Sequence, residues 1–424
     1  MLRHNETTPL FFGLSHIGQV FSILWAQKIG NCATYDPIKI NRINYIKNKF
    51  SEEEPNLKKI ITKNKIINYN DIEKIKNHKI IFFTYDTPIS LNKTIPNIKF
   101  IENNLKKLLS INFISNTKII ILSQVYPGFC QNIIQKYIKN KKIIEIIYMV
   151  DTLKMGEAIN KFLYPEQLIF GCEKKNNKFI LNLFSKFKCK KYFFSVKEAE
   201  LIKISINLYL FFSISYSNIL DKFSKSLKIN FSKILECLRN DKRIGKNAYI
   251  HPSLGMAGGH LERDSYYLKK LNKDNESISI INNLIKFNER RKNIIKKIVD
   301  KKIKKKSVKI LIIGLSYKKE SFSIKNSIFK NILKNKKYNI EVFDSFFNLK
   351  ATKFKISQNL NYSLKSNDIF IYNYSKPKVV KTLKKFFKKN NKKFLINVSL
   401  ENKEFIKNNV HVINIFAKEN SYIA

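Results

Sequence analysis

The sequence predicts an α/β protein in which two parallel sheets are joined by a central, all-α domain. Short apolar runs alternate with longer amphipathic stretches near both ends of the chain, which is the pattern of repeated βα units. Between them lies an apolar-rich stretch with helical periodicity. The chain has 424 residues, 44% of them hydrophobic, which is enough for several cores. We therefore predict domains at 1–194, 195–300 and 301–424.

The N-terminal domain begins with a predicted strand, a helix and a second strand, at 9–12, 17–29 and 31–35. Further apolar runs of strand length follow, each bounded by polar or turn-forming residues. They lie at 79–84, 118–123, 144–149 and 167–170. A parallel sheet of this size is typical of one dinucleotide-binding unit.

The central domain begins with a long helix, predicted from 196 to about 222. Helical character continues through Cys237 and returns at 277–297. A lysine-rich stretch at 301–306 precedes a predicted strand at 308–313, after which the βα alternation resumes. The composition and the spacing of apolar residues therefore both change near residue 300, which places a domain boundary there.

The net charge of +48, from 80 Lys and Arg against 32 Asp and Glu, would ordinarily suggest a polyanionic partner. The cations are mostly Lys and are spread over the whole chain, whereas nucleic-acid surfaces concentrate Arg on one face. Asn and Ile are abundant too, so we favour the codon bias of an AT-rich genome as the explanation of the high Lys content. We predict no specific nucleic-acid partner, although a basic cleft would attract an anionic nucleotide.

The chain has no uncharged apolar run of about 18 residues, and its first residues lack the pattern of a secretion signal. We expect a cytoplasmic protein without a membrane partner. The five cysteines are widely spaced and form no CxxC pair, so neither a disulfide framework nor a metal site is predicted.

A glycine-rich turn, Gly13-Leu-Ser-His-Ile-Gly18, follows the first predicted strand. Gly13 permits a tight bend and Gly18 permits close helix packing, while Ser15 takes the place of the usual middle glycine. Such a turn is about as often structural as cofactor-binding. Asp36, at the end of the next strand, favours the cofactor, because its carboxylate can accept from both ribose hydroxyls and repel a 2′-phosphate. The pattern predicts NAD rather than NADP.

Further motifs follow in order: Ser-Glu-Glu-Glu-Pro-Asn-Leu at 51–57, Asp-Thr-Pro at 86–88, Ser-Gln-Val-Tyr-Pro-Gly at 123–128 and Ala-Glu-Leu-Ile-Lys-Ile-Ser-Ile-Asn at 199–207. With these motifs the chain resembles the UDP-glucose/GDP-mannose dehydrogenase family over nearly its full length. The resemblance implies two Rossmann-like domains, one for NAD and one for a UDP- or GDP-hexose, and a central helical domain that forms a homodimer.

The resemblance also implies oxidation of the C6 hydroxyl of the sugar towards the uronate. It assigns Thr87 and Gln124 to the cofactor site. The family usually has Thr where this chain has Gln124, and that Thr helps to hold the catalytic water.

Lys203 and Asn207 are four residues apart on the long helix, so they lie on one face. An ammonium and an amide there can converge on one oxyanion. Such a pair is ordinarily a solvated surface, but the isoleucines at 202, 204 and 206 around it favour the functional interpretation.

The next family motif carries two glutamates, which fall here on Asp151 and Met155. One carboxylate is therefore retained on a shorter stem and the other is lost. Asp151 is a candidate general base, and a loop Asp that binds local backbone is an equally open interpretation.

The segment Gly-Met-Ala-Gly-Gly-His-Leu-Glu-Arg-Asp at 255–264 resembles the glycine-rich loop that carries the catalytic Cys of the family. The resemblance assigns Asp264 to the catalytic site. An alignment on Asp264 places His260 at that Cys, and a second register places Leu261 there. Neither supplies the thiol that would form the thioester intermediate. His260 is instead a candidate general base for a water. The resemblance assigns Gly258 and Gly259 to the substrate.

Three basic residues complete the resemblance, which assigns Arg243, Lys318 and Lys325 to the nucleotide sugar. Lys325 replaces an Arg of the family and loses its planar fork. The sequence therefore predicts an NAD-dependent nucleotide-sugar dehydrogenase. The alternative is an impaired or inactive family member that still binds both ligands, and nucleic-acid binding ranks last.

Overall fold

A computed structural model describes the following residues: 7–50, 54, 56–89, 95–113, 116–138, 143–258, 260–271, 275–302, 308–316, 319, 323–324, 327–335, 337–347, 354–390, 392–399 and 412–416. The chain divides into two compact units. The first unit contains Met1–Asn207 and Arg263–Leu271, and the second contains Leu208–Glu262 and Asn272–Ala424.

The first unit is built on an eight-stranded sheet, as far as the described residues show. Its strands are β1 (Leu10–Phe12), β2 (Cys32–Tyr35), β3 (Ile66–Asn68), β4 (Ile80–Phe83), β5 (Thr117–Ile121), β6 (Ile144–Met149), β7 (Gln167–Gly171) and β8 (Lys190–Phe194). They lie in the order β3-β2-β1-β4-β5-β6-β7-β8. Neighbours pair in parallel except β6 and β7, which are antiparallel.

Helices cover both faces of this sheet, because its central strands are apolar on both sides. Leu10 and Phe12 pack into one apolar cluster, while Phe11, between them, packs into the other. The helices of the unit are α1 (His16–Lys28), α2 (Lys39–Ile46), α3 (Ile98–Leu109), α4 (Phe129–Tyr137), α5 (Ala158–Leu163), α6 (Asn177–Leu183) and the start of α7 (Val196–Ser226).

The second unit contains the rest of α7 and a six-stranded parallel sheet in the described residues. Its further helices and strands are α8 (Phe231–Asn240), α10 (Asn275–Lys292), α11 (Ile294–Lys302), β9 (Lys309–Ile313), α12 (Lys330–Leu333), β10 (Asn339–Phe343), β11 (Lys355–Ile356), α13 (Leu360–Ser366), β12 (Ile369–Tyr372), α14 (Pro377–Lys389), β13 (Phe394–Asn397) and β14 (Val412–Asn414). Helix α9 (His260–Leu271) contributes residues to both units. The strand order β11-β10-β9-β12-β13-β14 matches that of the first six strands of the first unit.

The predicted fold class is confirmed: parallel sheets of doubly wound order occur in both units, and a long helix follows the first. In the first unit, the strands β3 and β8 have no counterpart in the prediction. β3 has only three residues, and β8 begins with two lysines and is only partly buried. The helical stretch predicted at 277–297 is divided between α10 and α11, which meet at Asn293. Among the described helices, none is long and apolar enough to cross a membrane.

The first turn of α1 packs directly on the end of β1. A Cβ atom at Gly18 would lie 1.9 Å from the carbonyl oxygen of Gly13, which is impossible without a backbone shift. At Gly30, just beyond the helix, a Cβ atom would meet nothing within 4 Å.

We expect Gly18→Ala to lower the free energy of unfolding by about 2–3 kcal/mol, because the methyl group forces helix and strand apart. Gly30→Ala is the matched control and should change it by less than about 0.5 kcal/mol. Thermal and urea unfolding of the two variants measure the difference. Equal stability of the two variants would contradict the close packing at Gly18.

Candidate active site

The turn between β1 and α1 has the geometry of a diphosphate-binding loop. Gly13 adopts a φ of +103°, and a Cβ atom there would lie 2.8 Å from the ring of Tyr85. Its amide donates to the carbonyl oxygen of Tyr35, 2.8 Å away, which holds the turn against the end of β2. Ser15 is the N-cap residue of α1. The turn and the start of the helix therefore present backbone N–H groups where a dinucleotide places its phosphates, and these residues fit such a cofactor.

Asp36 lies at the end of β2, where it was predicted, and is fully buried. One carboxylate oxygen accepts from the Leu14 amide and the Asn41 side chain, at 2.7 and 2.9 Å. The other accepts from the Ile38 amide and the Tyr85 hydroxyl, at 2.8 and 2.7 Å. Recognition of a ribose by Asp36 stays a prediction, and it requires one of these side chains to move.

Thr87 and Gln124 follow β4 and β5 and meet at one carbonyl group. The hydroxyl groups of Thr87 and Tyr267 both donate to the backbone oxygen of Gln124. The side-chain amide of Gln124 is buried, and neither its oxygen nor its nitrogen has a hydrogen-bond partner. A buried amide without a partner is costly, so this group is available to a ligand.

Helix α7 is held on the first sheet by small residues and isoleucines. A Cβ atom at Gly171 would lie 2.7 Å from the Cα atom of Val196, so the helix begins in direct contact with β7. Ile202 and Ile206 pack on the apolar core of the unit. The local sequence thereby fixes the rotation of the helix and the positions of the polar residues between these contacts.

Lys203 and Asn207 use this orientation to bind two candidate carboxylate residues. The Lys203 ammonium group donates to the backbone oxygen of Asp151, and the Asn207 amide donates to the Asp264 carboxylate. Arg263 donates to the second oxygen of Asp264 at 2.8 Å. Asp264 is fully buried, so its charge is balanced within the first unit.

Asp151 is half-buried at the end of β6. Burial raises the pKa of its carboxyl group, an effect that the nearby Lys203 ammonium partly offsets. One of its oxygens also accepts from the Leu153 amide at 2.9 Å. The structure shows the bond to local backbone, while the role of Asp151 as a general base stays a prediction.

Glu200 makes contacts between α7 and the start of α4 that the sequence analysis did not single out. Its carboxylate accepts from the amides of Gly128 and Cys130 at the start of α4, at 2.5 and 2.9 Å. Burial and the Glu200 charge raise the pKa of the Cys130 thiol well above its ordinary value. Cys130 is therefore a protonated, buried side chain and does not replace the missing nucleophile.

The other candidates in the described part of the chain belong to the second unit. His260 is the first residue of α9, one helical turn before Asp264. Arg243 is exposed and pairs with Asp241 at 2.6 Å. Gly258 has a φ of +85°, a conformation that favours glycine. Gly259, Lys318 and Lys325 lie outside the described residues.

The loop before His260 is supported by side chains of α10, which sequence reasoning missed. The Met256 amide donates to the Asn288 side chain at 2.8 Å, and a Cβ atom at Gly255 would lie 2.6 Å from Lys292. Lys292 is buried and pairs with Glu262 at 2.9 Å. The glycine at 255 is a sequence signal for a close approach of this kind. The sequence does not show which helix makes that approach.

The chain matches two models of one family. Residues 10–188 match the NAD binding domain of the UDP-glucose/GDP-mannose dehydrogenase family, and residues 197–290 match its central domain. Together the two matches span more than half of the chain. The prediction of NAD as cofactor is confirmed by the first match.

Known proteins of this family resemble the chain over most of its length. A UDP-glucose 6-dehydrogenase of Campylobacter jejuni is 29% identical over 333 residues, which are 76% of this chain and 81% of the relative. A solved UDP-glucose dehydrogenase of Pyrobaculum islandicum has a TM-score of 0.77 at 15% identity and covers 94% of this chain and 96% of its own. A solved UDP-D-ManNAc dehydrogenase of Pyrococcus horikoshii has a TM-score of 0.75 at 17% identity. The match covers 96% of this chain and 98% of the chain of that structure. The chain belongs to the UDP-glucose/GDP-mannose dehydrogenase family, the NAD-dependent dehydrogenases of nucleotide sugars.

Proposed function

We propose that the protein oxidises the C6 hydroxyl of a UDP- or GDP-hexose towards the uronate, for the synthesis of polysaccharide precursors. The observation that carries this proposal is the group formed by Lys203, Asn207, Asp151 and Asp264 in the first unit, which also contains the glycine turn. NAD, which the glycine turn would hold, would supply the hydride acceptor for each oxidation.

In the first oxidation, the primary alcohol loses a hydride and a proton and becomes an aldehyde. Asp151 is the proposed base for that proton, since its raised pKa makes it a stronger base than an ordinary carboxylate. The Lys203 ammonium and the Asn207 amide stabilise the negative charge that develops on the sugar oxygen.

The second oxidation must proceed without a thiol. Water adds to the aldehyde carbon and gives a geminal diol, which then loses a hydride and a proton to give the carboxylic acid. We propose His260 as the base for this water, with Asp264 one turn further along the same helix. An imidazole is suited to that proton transfer but not to the thioester cycle of a Cys.

An impaired or inactive family member is the second candidate function. It is favoured by the absence of a thiol at 260 and 261 and by the bonds that Lys203 and Asn207 already make inside the protein. Such a protein would bind NAD and a nucleotide sugar without completing the oxidation.

The substrate-binding residues that the family resemblance assigns are part of the same proposal. Arg243, Gly258, Gly259, Lys318 and Lys325 are the proposed residues for the nucleotide sugar. The domain limits of 1–194, 195–300 and 301–424 and a cytoplasmic location remain part of this proposal.

A homodimer is also part of the proposal, and α7 offers a face for it. Tyr209, Phe212, Tyr216 and Phe223 lie on one side of the helix and are between 39% and 62% exposed. Residues three, four and seven positions apart share a helix face, so these rings form one apolar stripe. A contiguous exposed stripe of this kind is typical of an interface with a second copy.

We expect the number of NADH molecules formed per sugar to distinguish the two candidate functions. About one NADH per sugar indicates that the reaction stops at the aldehyde, and about two indicate that water replaces the thiol. Absorbance at the NADH band, with purified protein and a panel of UDP- and GDP-hexoses, measures this ratio.

Lys203→Met is the control for that experiment and should lower kcat about 100-fold or more. Binding of NADH and nucleotide sugar without any turnover would instead support the inactive member.

We expect activity to fall at acidic pH with an apparent pKa above the ordinary Asp value of about 4. A base with a raised pKa works above that pKa and is lost as the pH falls through it. The kcat/KM profile is that of the first NADH formed per sugar, a step in which His260 has no proposed role. Asp151→Glu should keep the acid limb there, while the residual activity of Asp151→Asn should lack it. An unchanged acid limb in Asp151→Asn would exclude Asp151 as the base.

We expect the double substitution Tyr216→Glu and Phe223→Glu to turn a dimer into a monomer, because two charges would be buried at the interface. Light scattering after size-exclusion chromatography measures the mass. Tyr362→Glu, at a tyrosine on α13 that is 66% exposed, is the matched control and should leave the mass unchanged. A dimeric double variant would rule out this stripe as the interface.

A further inference from the structure

The start of α1 is already in contact with a carboxylate of the protein itself. The backbone amide of Ile17, in the first turn of the helix, donates to the Asp86 side chain at 3.2 Å. Asp86 lies in the segment that follows β4, and it is half-buried. An anion at this place is favourable, because the unpaired N–H groups and the helix dipole attract negative charge.

Ser15 ties this segment to the glycine turn. Its hydroxyl accepts from the Asp86 amide at 2.8 Å and donates to the Thr84 carbonyl oxygen at 3.0 Å. Both bonds use the side-chain oxygen, which a glycine at position 15 would lack. The residue that departs from the usual middle glycine therefore also determines where Asp86 lies.

The same helix start is where NAD places its diphosphate in this fold. Asp86 and the diphosphate are both negative and would use the same backbone donor. We propose that Asp86 is a determinant of cofactor affinity, an internal competitor of the NAD diphosphate that Ser15 holds in position. This inference rests on the NAD site of the proposed function.

A displaced Asp86 carboxylate has a partner of opposite charge in the first unit. The buried guanidinium group of Arg263 lies close enough to interact electrostatically with Asp86 as well as with Asp264. Asp151 is an acidic group that also interacts electrostatically with Asp86. Cofactor binding thus has to move Asp86 away from Ile17, and Arg263 offsets part of the cost of that movement.

The test is the affinity of the full chain for NADH, measured by the fluorescence of the bound nicotinamide. Asp86→Asn keeps the size of the side chain and one acceptor oxygen, replaces the other oxygen with an amide donor and removes the charge. We expect it to bind NADH about tenfold more tightly than the natural protein. Glu73→Gln removes one negative charge from an exposed side chain in the same unit and should leave the affinity unchanged.

Two further ligands locate the effect. ADP-ribose carries the diphosphate without the nicotinamide, and its affinity, measured by competition, should increase as that of NADH does. Adenosine has no phosphate, and Asp86→Asn should not change its affinity. The difference between the two proteins should also shrink as the salt concentration rises, since screening weakens the repulsion.

Ser15→Ala tests the positioning role. It should tighten NADH binding in the natural background, where it releases Asp86, and have little effect in the Asp86→Asn background. Equal gains in both backgrounds would show that Ser15 does not act through Asp86.

Equal NADH affinity of the natural protein and Asp86→Asn would overturn the inference while leaving the proposed function intact. An equal gain for adenosine would overturn it as well, because the diphosphate would not be the cause. If neither protein binds NADH, the NAD site itself is wrong and both proposals fall. Binding by Asp86→Asn alone would support the inference in its strongest form.

Discussion

The burial of the Asp264 carboxylate is the constraint on which the candidate site depends. A fully buried charge is tolerated only with a partner of opposite charge and satisfied hydrogen bonds. Arg263 supplies the charge and Asn207 supplies an amide donor. These bonds join α9 to α7, which explains why residues 263–271 belong to the first unit although the chain on either side of them belongs to the second.

The parallel sheet then decides where the other candidate residues lie. Asp36, Thr87, Gln124 and Asp151 each follow the end of a different strand of the first sheet. The ends of parallel strands share one edge, so residues distant in sequence are placed along the same side of the sheet. The orphaned amide of Gln124 lies in this row, where a ligand can satisfy it.

The departures from the family pattern fall into two physical classes. His260 and Met155 stand where the family pattern has a Cys and a Glu, and the raised pKa of the buried Cys130 thiol argues against Cys130 as a replacement nucleophile. Ser15, in place of the usual middle glycine, instead accepts a hydrogen bond from the amide of Asp86, a residue of the Asp-Thr-Pro motif, and so changes the electrostatics of the cofactor turn. The chain thus combines the fold of its family with a different set of charges and nucleophiles at the candidate site.

The sequence by itself determined the alternation of strands and helices at both ends of the chain, the glycine turn and the polar face of α7. These features are local, because the spacing of apolar residues and the positions of glycines determine the structure of a short segment of the chain. It did not predict β3, β8 or the roles of Glu200, Tyr267 and Asn288. Only the tertiary structure decided these, since each depends on a partner from a distant part of the chain: Glu200 contacts Cys130, and Tyr267 binds the carbonyl oxygen of Gln124. Local patterns do not encode which distant donor meets which acceptor, and that pairing forms only when the sheet and its helices pack.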